Sequence, residues 1–242
     1  MKTNPRRYMR LTRELVARVP AFVGASGSVL DELVKTTDAD HADTIAGVLR
    51  SRAPGSDVWI FAYGSLIWNP VFIAVEERIA RAPGWRRSFC LGWNTIFRGS
   101  VGRPGVMLAL DRGGSCTGVA YRLPRGEVQE VLLALLRREM PFKPSPFPAR
   151  WLKLQTASGR LEAIGFAIDR NSERYLGGLS LDATAAALAT AAGERGSMAD
   201  YLWSTISNLE ARGIHDDYLW QLQDRVAGRL MAEVVGGPVD PH

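Results

Sequence analysis

Two short stretches of this 242-residue chain combine residue types that could do chemistry. The first is Tyr63-Gly64-Ser65-Leu66, inside the run FAYGSLIWNP. An apolar run from Val58 to Ala62 leads into it, so a buried strand ends on a tyrosine, a glycine and a serine. Glycine takes dihedrals that other residues resist and lets a ligand approach the backbone closely. Successive N–H groups in such a turn form a small anion-binding concavity. Ser65 adds a hydroxyl and Tyr63 a phenol. The stretch therefore suits a carboxylate or a developing oxyanion; the bland alternative is a plain turn closing a strand.

The second is Glu139. Helical spacing puts Val128, Leu132, Leu135 and Glu139 on one stripe, with Val131 and Leu136 beside it. Arg137 and Arg138 are expected to point elsewhere. A carboxylate on an apolar stripe at a helix C-terminus has its pKa raised both by burial and by the helix dipole. That suits a general acid/base working near neutrality. The alternative is a frayed last residue paired with an arginine at the surface. Weaker candidates are Glu76-Glu77, which on a strand face opposite ways and read as solvated charges, and Cys90, whose base would have to be the distant His41 or His215. Trp59, Trp68, Trp85, Trp93 and Trp151 read as core, with one or two free to wall a pocket.

Several elements must hold these residues. Residues 1–55 form a helical preface, with TRELVARV and Asp43–Leu49 at helical spacing and RAPGS as its break. Strands begin after Asp57. Residues 58–62 form a central buried strand. Residues 74–81 and 85–92 read as two strands joined at Ala82-Pro83-Gly84, and 106–111 and 116–123 as a hairpin joined at Arg112–Ser115. A helix over 127–139 precedes the proline-rich loop MPFKPSPFPA, and strands RWLKLQT and RLEAIGFAID follow it. The last third is helical: an alanine-rich segment at 182–192, a helix capped by Ser197 and Asp200, and a final helix from Asp216 or Asp217 to about Val234. The tail, 236–242, is expected to fray. Strands arrive as sequential antiparallel pairs, so the fold class is α+β, a strongly curved or closed sheet with helices around it. Residues 56–235 are read as one domain.

Composition narrows the function. Hydrophobic residues make up 46% and charged residues 23%, as in ordinary globular proteins. No apolar run approaches the ~20 residues that span a bilayer, and arginines interrupt the N-terminal apolar residues, so neither a membrane partner nor a secretory signal is read. The net charge of +5 comes from basic residues scattered along the chain, including Arg6-Arg7, Arg86-Arg87 and Arg137-Arg138. They read as solvated surface charges, without the aromatic interleaving of a nucleic-acid stripe. Cys90 and Cys116 read as buried free thiols, which fits a reducing cytoplasm. The three histidines lack metal-ligand spacing.

YGSLIWNP after an apolar strand, then RRSFCLG, RPGVMLALDRGGSCTGVAYRL, REM and SMADYLWSTISNLEARGI occur in that order. Together they resemble the ChaC family of γ-glutamylcyclotransferases over roughly residues 57–230. The resemblance implies a γ-glutamylcyclotransferase-like fold, a small, mostly antiparallel β-barrel surrounded by helices. It also implies cleavage of glutathione to 5-oxoproline and cysteinylglycine with no metal or cofactor. Tyr63, Gly64, Ser65 and Leu66 match the family's substrate loop, and Glu139 its catalytic glutamate. Three features depart from the pattern: Ile96-Phe97 where polar or basic residues are usual, a loop after Glu139 without the common tyrosine, and Met198 where a cysteine is frequent. These leave open the same chemistry on another γ-glutamyl peptide or amine. A reading of a different class, a non-catalytic binding protein on this fold, fits the family's older label of cation-transport regulator. Oligomeric state leaves no mark in the sequence.

Overall fold

A computed structural model describes residues 8–20, 34–53 and 55–235. The expected frayed tail lies outside the described residues. Helix α1 spans Arg13–Val16, strand β1 Val34–Lys35, helix α2 Asp38–Leu49 and strand β2 Trp59–Ala62. The helix expected at 43–49 thus starts five residues earlier, because Thr37 and Asp40 form a reciprocal capping box around its first turn. TRELVARV yields only the single helical segment of α1.

The long strands correct the largest expectation. Strand β3 is continuous over Glu76–Asn94 and β4 over Gly105–Arg122. They pair antiparallel from Glu76 opposite Arg122 to Asn94 opposite Gly105. The two expected turns face each other across this ribbon, Pro83 opposite Ser115 and Trp85 opposite Arg112, with a register shift between Pro83 and Trp85. Gly84 takes φ +80° and Gly113 φ +102°. The turn-forming residues therefore build a bulge that bends the ribbon without reversing it. Beyond the bend, β2 pairs with β4 over Val119–Arg122 while Ala80 and Arg81 pair with strand β6, Ala149–Thr156. Strand β7, Gly159–Phe166, runs antiparallel to β6 and meets β2 in parallel at Ile60–Ile164. The barrel closes in the order β2-β4-β3-β6-β7.

Helix α3, Val128–Glu139, has Val131, Leu132, Leu135 and Leu136 buried, as its spacing predicts. Strand β5, Phe142–Lys143, follows it. Helices α4, Leu181–Thr190, α5, Met198–Glu210, and α6, Asp217–Val235, pack on one another. Cys90 and Cys116 are buried free thiols, each pushed up to about 11 by burial. Met198 is fully buried against Gly105 and takes no part in the cavity wall. Among the described residues no helix is long and apolar enough to cross a membrane.

The N-terminal segment is fastened to the segment that follows Glu139. Strand β1 pairs with β5, and Thr36 N–H donates to the Pro141 carbonyl at 3.0 Å. Lys143 Nζ reaches both oxygens of Asp40, at 2.8 and 2.7 Å, and Arg137 pairs with Asp38.

The doublet Arg86-Arg87 is not uniformly solvated. The Arg87 side chain is only 1% exposed and pairs with Asp216 at 2.8 Å. Its Nε donates to the Tyr63 carbonyl at 2.7 Å and its Nη2 to the Thr117 carbonyl. Removing one member of a buried pair leaves the other charge uncompensated. Arg87→Met is therefore expected to cost about 3–5 kcal/mol of unfolding free energy, measured by urea denaturation. Arg86→Met serves as the comparison and should cost less, because its side chain is exposed and its buried partner Asp111 keeps Arg170 at 2.8 Å.

Candidate active site

The chain leaves β2 at Ala62 and enters a 3₁₀ turn at Ser65–Ile67. Ile67 N–H donates to the Gly64 carbonyl at 2.9 Å and Asn69 N–H to the Ser65 carbonyl at 2.8 Å. The opening N–H groups of such a turn have no acceptor within it. Gly64 does not adopt the positive φ that would demand glycine; its φ is −142°. It is required for space, because a Cβ there would sit 2.9 Å from the Tyr201 hydroxyl. The Tyr63 phenol, expected to face a ligand, instead donates to the Phe166 carbonyl at 2.8 Å, and burial raises its pKa well above 10. Tyr63 thus fixes the turn from both ends: its phenol holds β7 and its carbonyl holds Arg87. Leu66 is buried beneath the turn.

Glu139 ends α3 with its side chain 16% exposed. Burial raises its pKa above the ordinary 4.5, while Arg138 and Arg195 oppose the rise. Arg138, expected to point elsewhere, faces the site. Its Nε lies 3.0 Å from Glu139 Oε1, its Nη2 donates to Ser65 Oγ at 2.9 Å, and its Nη1 contacts the Asn69 carbonyl. Oε1 accepts no hydrogen bond of proper geometry despite its burial. The last turn of α3 therefore supplies a carboxylate held at short range by a cation, one oxygen of which lacks a directed donor.

These groups open onto one cleft. Its inner end is lined by Tyr63, Gly64, Ser65, Leu66, Glu139 and Tyr201. Ser65, Glu139 and Tyr201 continue into an outer chamber of about 440 Å³. The outer wall takes Asn94 to Arg98 on one side and the proline-rich loop, Pro141 to Phe147, on another. Asn94 Oδ1 accepts from the N–H groups of Ile96, Phe97 and Arg98 at 3.3, 2.8 and 3.0 Å, which folds that corner. Trp68 is the tryptophan that walls the cavity, edge-on to Tyr201 with ring centroids 5.8 Å apart. The two stretches singled out by residue type are thus brought together.

Sequence reasoning missed Tyr201, Arg98 and Arg138. Tyr201 is pushed up to about 12 by burial, so its phenol keeps its proton near neutrality, and it engages the backbone and hydroxyl of Ser65. Arg98 Nη1 donates to the Ser197 carbonyl at 2.9 Å and lies over the Tyr201 ring. Helical position gave a signal for Tyr201, which shares a face with Met198 and Leu202, but nothing local distinguished a pocket from a core.

A family model described as ChaC-like protein matches residues 58–229. Over 210 residues the chain is 37% identical to the glutathione-specific gamma-glutamylcyclotransferase of Escherichia coli (strain K12), covering 86% of this chain and 89% of that protein. It is 29% identical to the glutathione-specific gamma-glutamylcyclotransferase 1 of Homo sapiens, covering 72% of this chain and 80% of that one. The crystal structure of a yeast gamma-glutamyl cyclotransferase specific to glutathione superposes with a TM-score of 0.63 at 21% identity, covering 72% of this chain and all of that one. The folds are the same.

A carboxyl whose pKa is raised on folding costs stability above that raised value, and the cost disappears as pH falls toward the ordinary 4.5. Glu139→Gln removes the buried charge, and Arg138 keeps its bonds to Ser65 and Asn69. The variant should gain stability relative to the parent at pH 7–8, and the gain should shrink on acidification toward pH ~4.5. Paired denaturation curves across that range measure it.

Proposed function

The chain belongs to the ChaC-like protein family, and from that membership we propose that it cleaves glutathione to 5-oxoproline and cysteinylglycine with Glu139 as its general acid/base. The observation that carries the role of Glu139 is its burial, with a raised pKa, in the same inner cleft as the Tyr63–Leu66 turn.

A γ-glutamyl amide carries its own nucleophile. Its α-amine attacks the γ-carbonyl carbon, a carbon–nitrogen bond closes the five-membered ring, and the original amide bond breaks. The protein must fold the substrate so that amine and carbonyl meet, which is a task of proximity. The small pocket at the turn would take the γ-glutamyl unit, and the adjoining chamber, which shares Ser65, Glu139 and Tyr201 with it, the leaving dipeptide. The incoming ammonium must lose a proton before it can attack, and Glu139 in its charged form accepts it. The turn's opening N–H groups, that of Ser65 already shared with the Tyr201 oxygen, and the Arg138 guanidinium beside Ser65 supply positive charge for the α-carboxylate or the developing oxyanion. Glu139 then returns that proton to the departing amine, and the second proton, shed by the ring nitrogen as the lactam forms, follows the same route and leaves the dipeptide as its ammonium. Leu66 and Tyr63 hold the turn in shape, while Gly64 admits the Tyr201 hydroxyl.

Raised pKa values serve this cycle in two ways. Glu139 is basic enough to take a proton and acidic enough to return it. Tyr201 stays a neutral donor. The buried free thiols fit a reducing compartment, so the proposed location is the cytoplasm.

Incubation with millimolar glutathione, followed by chromatography of cysteinylglycine and 5-oxoproline, tests the proposal. The parent should form both products in equal amounts. Glu139→Gln should lower kcat at least about 100-fold while remaining folded by circular dichroism. The parent's kcat/KM should rise with pH through a value above 4.5, because the base must be charged to act. Turnover by Glu139→Gln at the parental rate would remove Glu139 from the mechanism. A binding protein without catalysis would yield no product from either form.

A further inference from the structure

Among the described residues, four arginines line the cleft, Arg98, Arg138, Arg174 and Arg195, against one carboxylate, Glu139. Two have protein partners. Arg138 holds Glu139 and Ser65, and Arg98 holds the Ser197 carbonyl with Asp200 3.6 Å away. Arg174 differs: among the described residues it forms no ion pair, and its Nε reaches only the Gly92 carbonyl, at 3.4 Å. Arg195 lays its guanidinium over the Phe97 ring, 4.2 Å from the centroid. Beyond its one long bond no protein group engages the Arg174 guanidinium among the described residues, and partial desolvation draws its pKa down. A bound anion would pair those free donors and offset the desolvation.

The position of Arg174 is fixed by backbone pairing. Gly92 N–H donates to its carbonyl at 3.1 Å, Leu176 N–H donates to the Cys90 carbonyl at 2.7 Å, and Leu91 bridges to Tyr175. The segment thus lies as a short added rung against the end of β3. Gly92 makes this possible, since a Cβ there would overlap the Leu176 side chain. Arg174 and Arg195 line the larger chamber and not the small pocket at the turn, although Arg195 lies near enough to act on the Glu139 charge.

Given the proposed function, on which this step rests, the γ-glutamyl unit occupies the inner end and the leaving dipeptide extends outward. Two residues separate the scissile carbonyl from the terminal carboxylate, a reach of roughly 7 Å at ~3.5 Å per residue. We infer that Arg174, assisted by Arg195, is a specificity-determining residue that binds the free carboxylate of the leaving dipeptide. The enzyme thereby selects γ-glutamyl dipeptides over γ-glutamyl amines and esters that lack that charge. Ile96 and Phe97 line the same chamber and carry no charge, so the recognition of a carboxylate there falls to the arginines.

The experiment compares glutathione with its glycine monoethyl ester, on the parent, Arg174→Met, Arg174→Lys and Arg195→Met. The parent should prefer the free acid by about tenfold or more in kcat/KM, the worth of a charge-assisted hydrogen bond. Arg174→Met should collapse that preference, with the loss appearing in KM for glutathione and not in kcat. Arg174→Lys should restore part of it, and Arg195→Met should reduce it by a smaller factor. Equal use of acid and ester by the parent, which needs no variant to fold, overturns the inference while leaving the proposed function standing. So does an equal fall on both substrates in Arg174→Met and Arg174→Lys alike. A parent that cleaves neither compound sinks the proposed function, and this inference with it.

Discussion

One buried guanidinium ties together three parts of the molecule that lie far apart in the chain. Arg87, on β3, bonds the Tyr63 carbonyl where β2 ends, the Thr117 carbonyl on β4, and Asp216 before α6. Asp216 in turn accepts from the Leu219 N–H and so starts that helix. Taking a guanidinium out of water costs several kcal/mol unless its donors are all engaged, and here three directions are filled. The consequence for the site is positional. Tyr63 immediately precedes the turn, so the same bond that satisfies Arg87 sets where the turn's N–H groups lie relative to Glu139. A reaction that works by proximity tolerates little displacement there.

The charges of the site follow from how α3 ends. Adjacent residues on a helix lie about 100° apart, so a carboxylate on the buried stripe has its neighbour at the stripe's edge. Arg138 occupies that edge and swings its guanidinium over to Ser65. It stabilises the charged form of Glu139 enough to keep a carboxylate in a largely apolar wall, yet burial still dominates and the pKa stays raised. A fully paired carboxylate would be too weak a base, and an unpaired one would remain protonated.

Much of this is legible in the sequence wherever the signal is local. Helical spacing alone puts Glu139 on the buried stripe, and an apolar run followed by Tyr-Gly-Ser marks the turn. What sequence patterns miss depends on pairing across the chain. Pro83-Gly84 and Gly113-Gly114 carry good turn chemistry, but whether such residues reverse a strand or bulge it depends on what lies opposite, and here they lie opposite each other. The Arg86-Arg87 doublet reads as solvated when taken as a pair. Strand alternation holds a hint, because Arg87 shares its face with the buried Phe89, while the exposed Arg86 lies on the other face and pairs with the buried Asp111. Tyr201 and Arg174 come from segments that reach the cleft only after the barrel closes, so no spacing rule could join them to Glu139.

The N-terminal segment, chemically silent in sequence, acquires a role from the loop it holds. The stretch from Met140 to Ala149 has four prolines, none of which can donate a backbone hydrogen bond. Such a loop cannot brace itself as a sheet would, yet it forms one wall of the outer chamber. Its order must come from outside. Pairing with Val34–Lys35, the Thr36 bond to Pro141 and the Lys143–Asp40 pair supply it, all just beyond the catalytic candidate in sequence. Helix α2 is itself anchored from below, since Trp151 Nε1 donates to the Val48 carbonyl at 2.8 Å and Arg52 stacks on that ring. The loop wall is therefore set both by contacts running from the barrel through α2 and directly, by Asp169 N–H donating to the Pro146 carbonyl at 2.8 Å and Ala167 N–H to the Pro148 carbonyl at 3.4 Å. On the proposed function, the loop wall could change through those contacts without altering Glu139 or the turn, so that selection and bond-making would be partly separable.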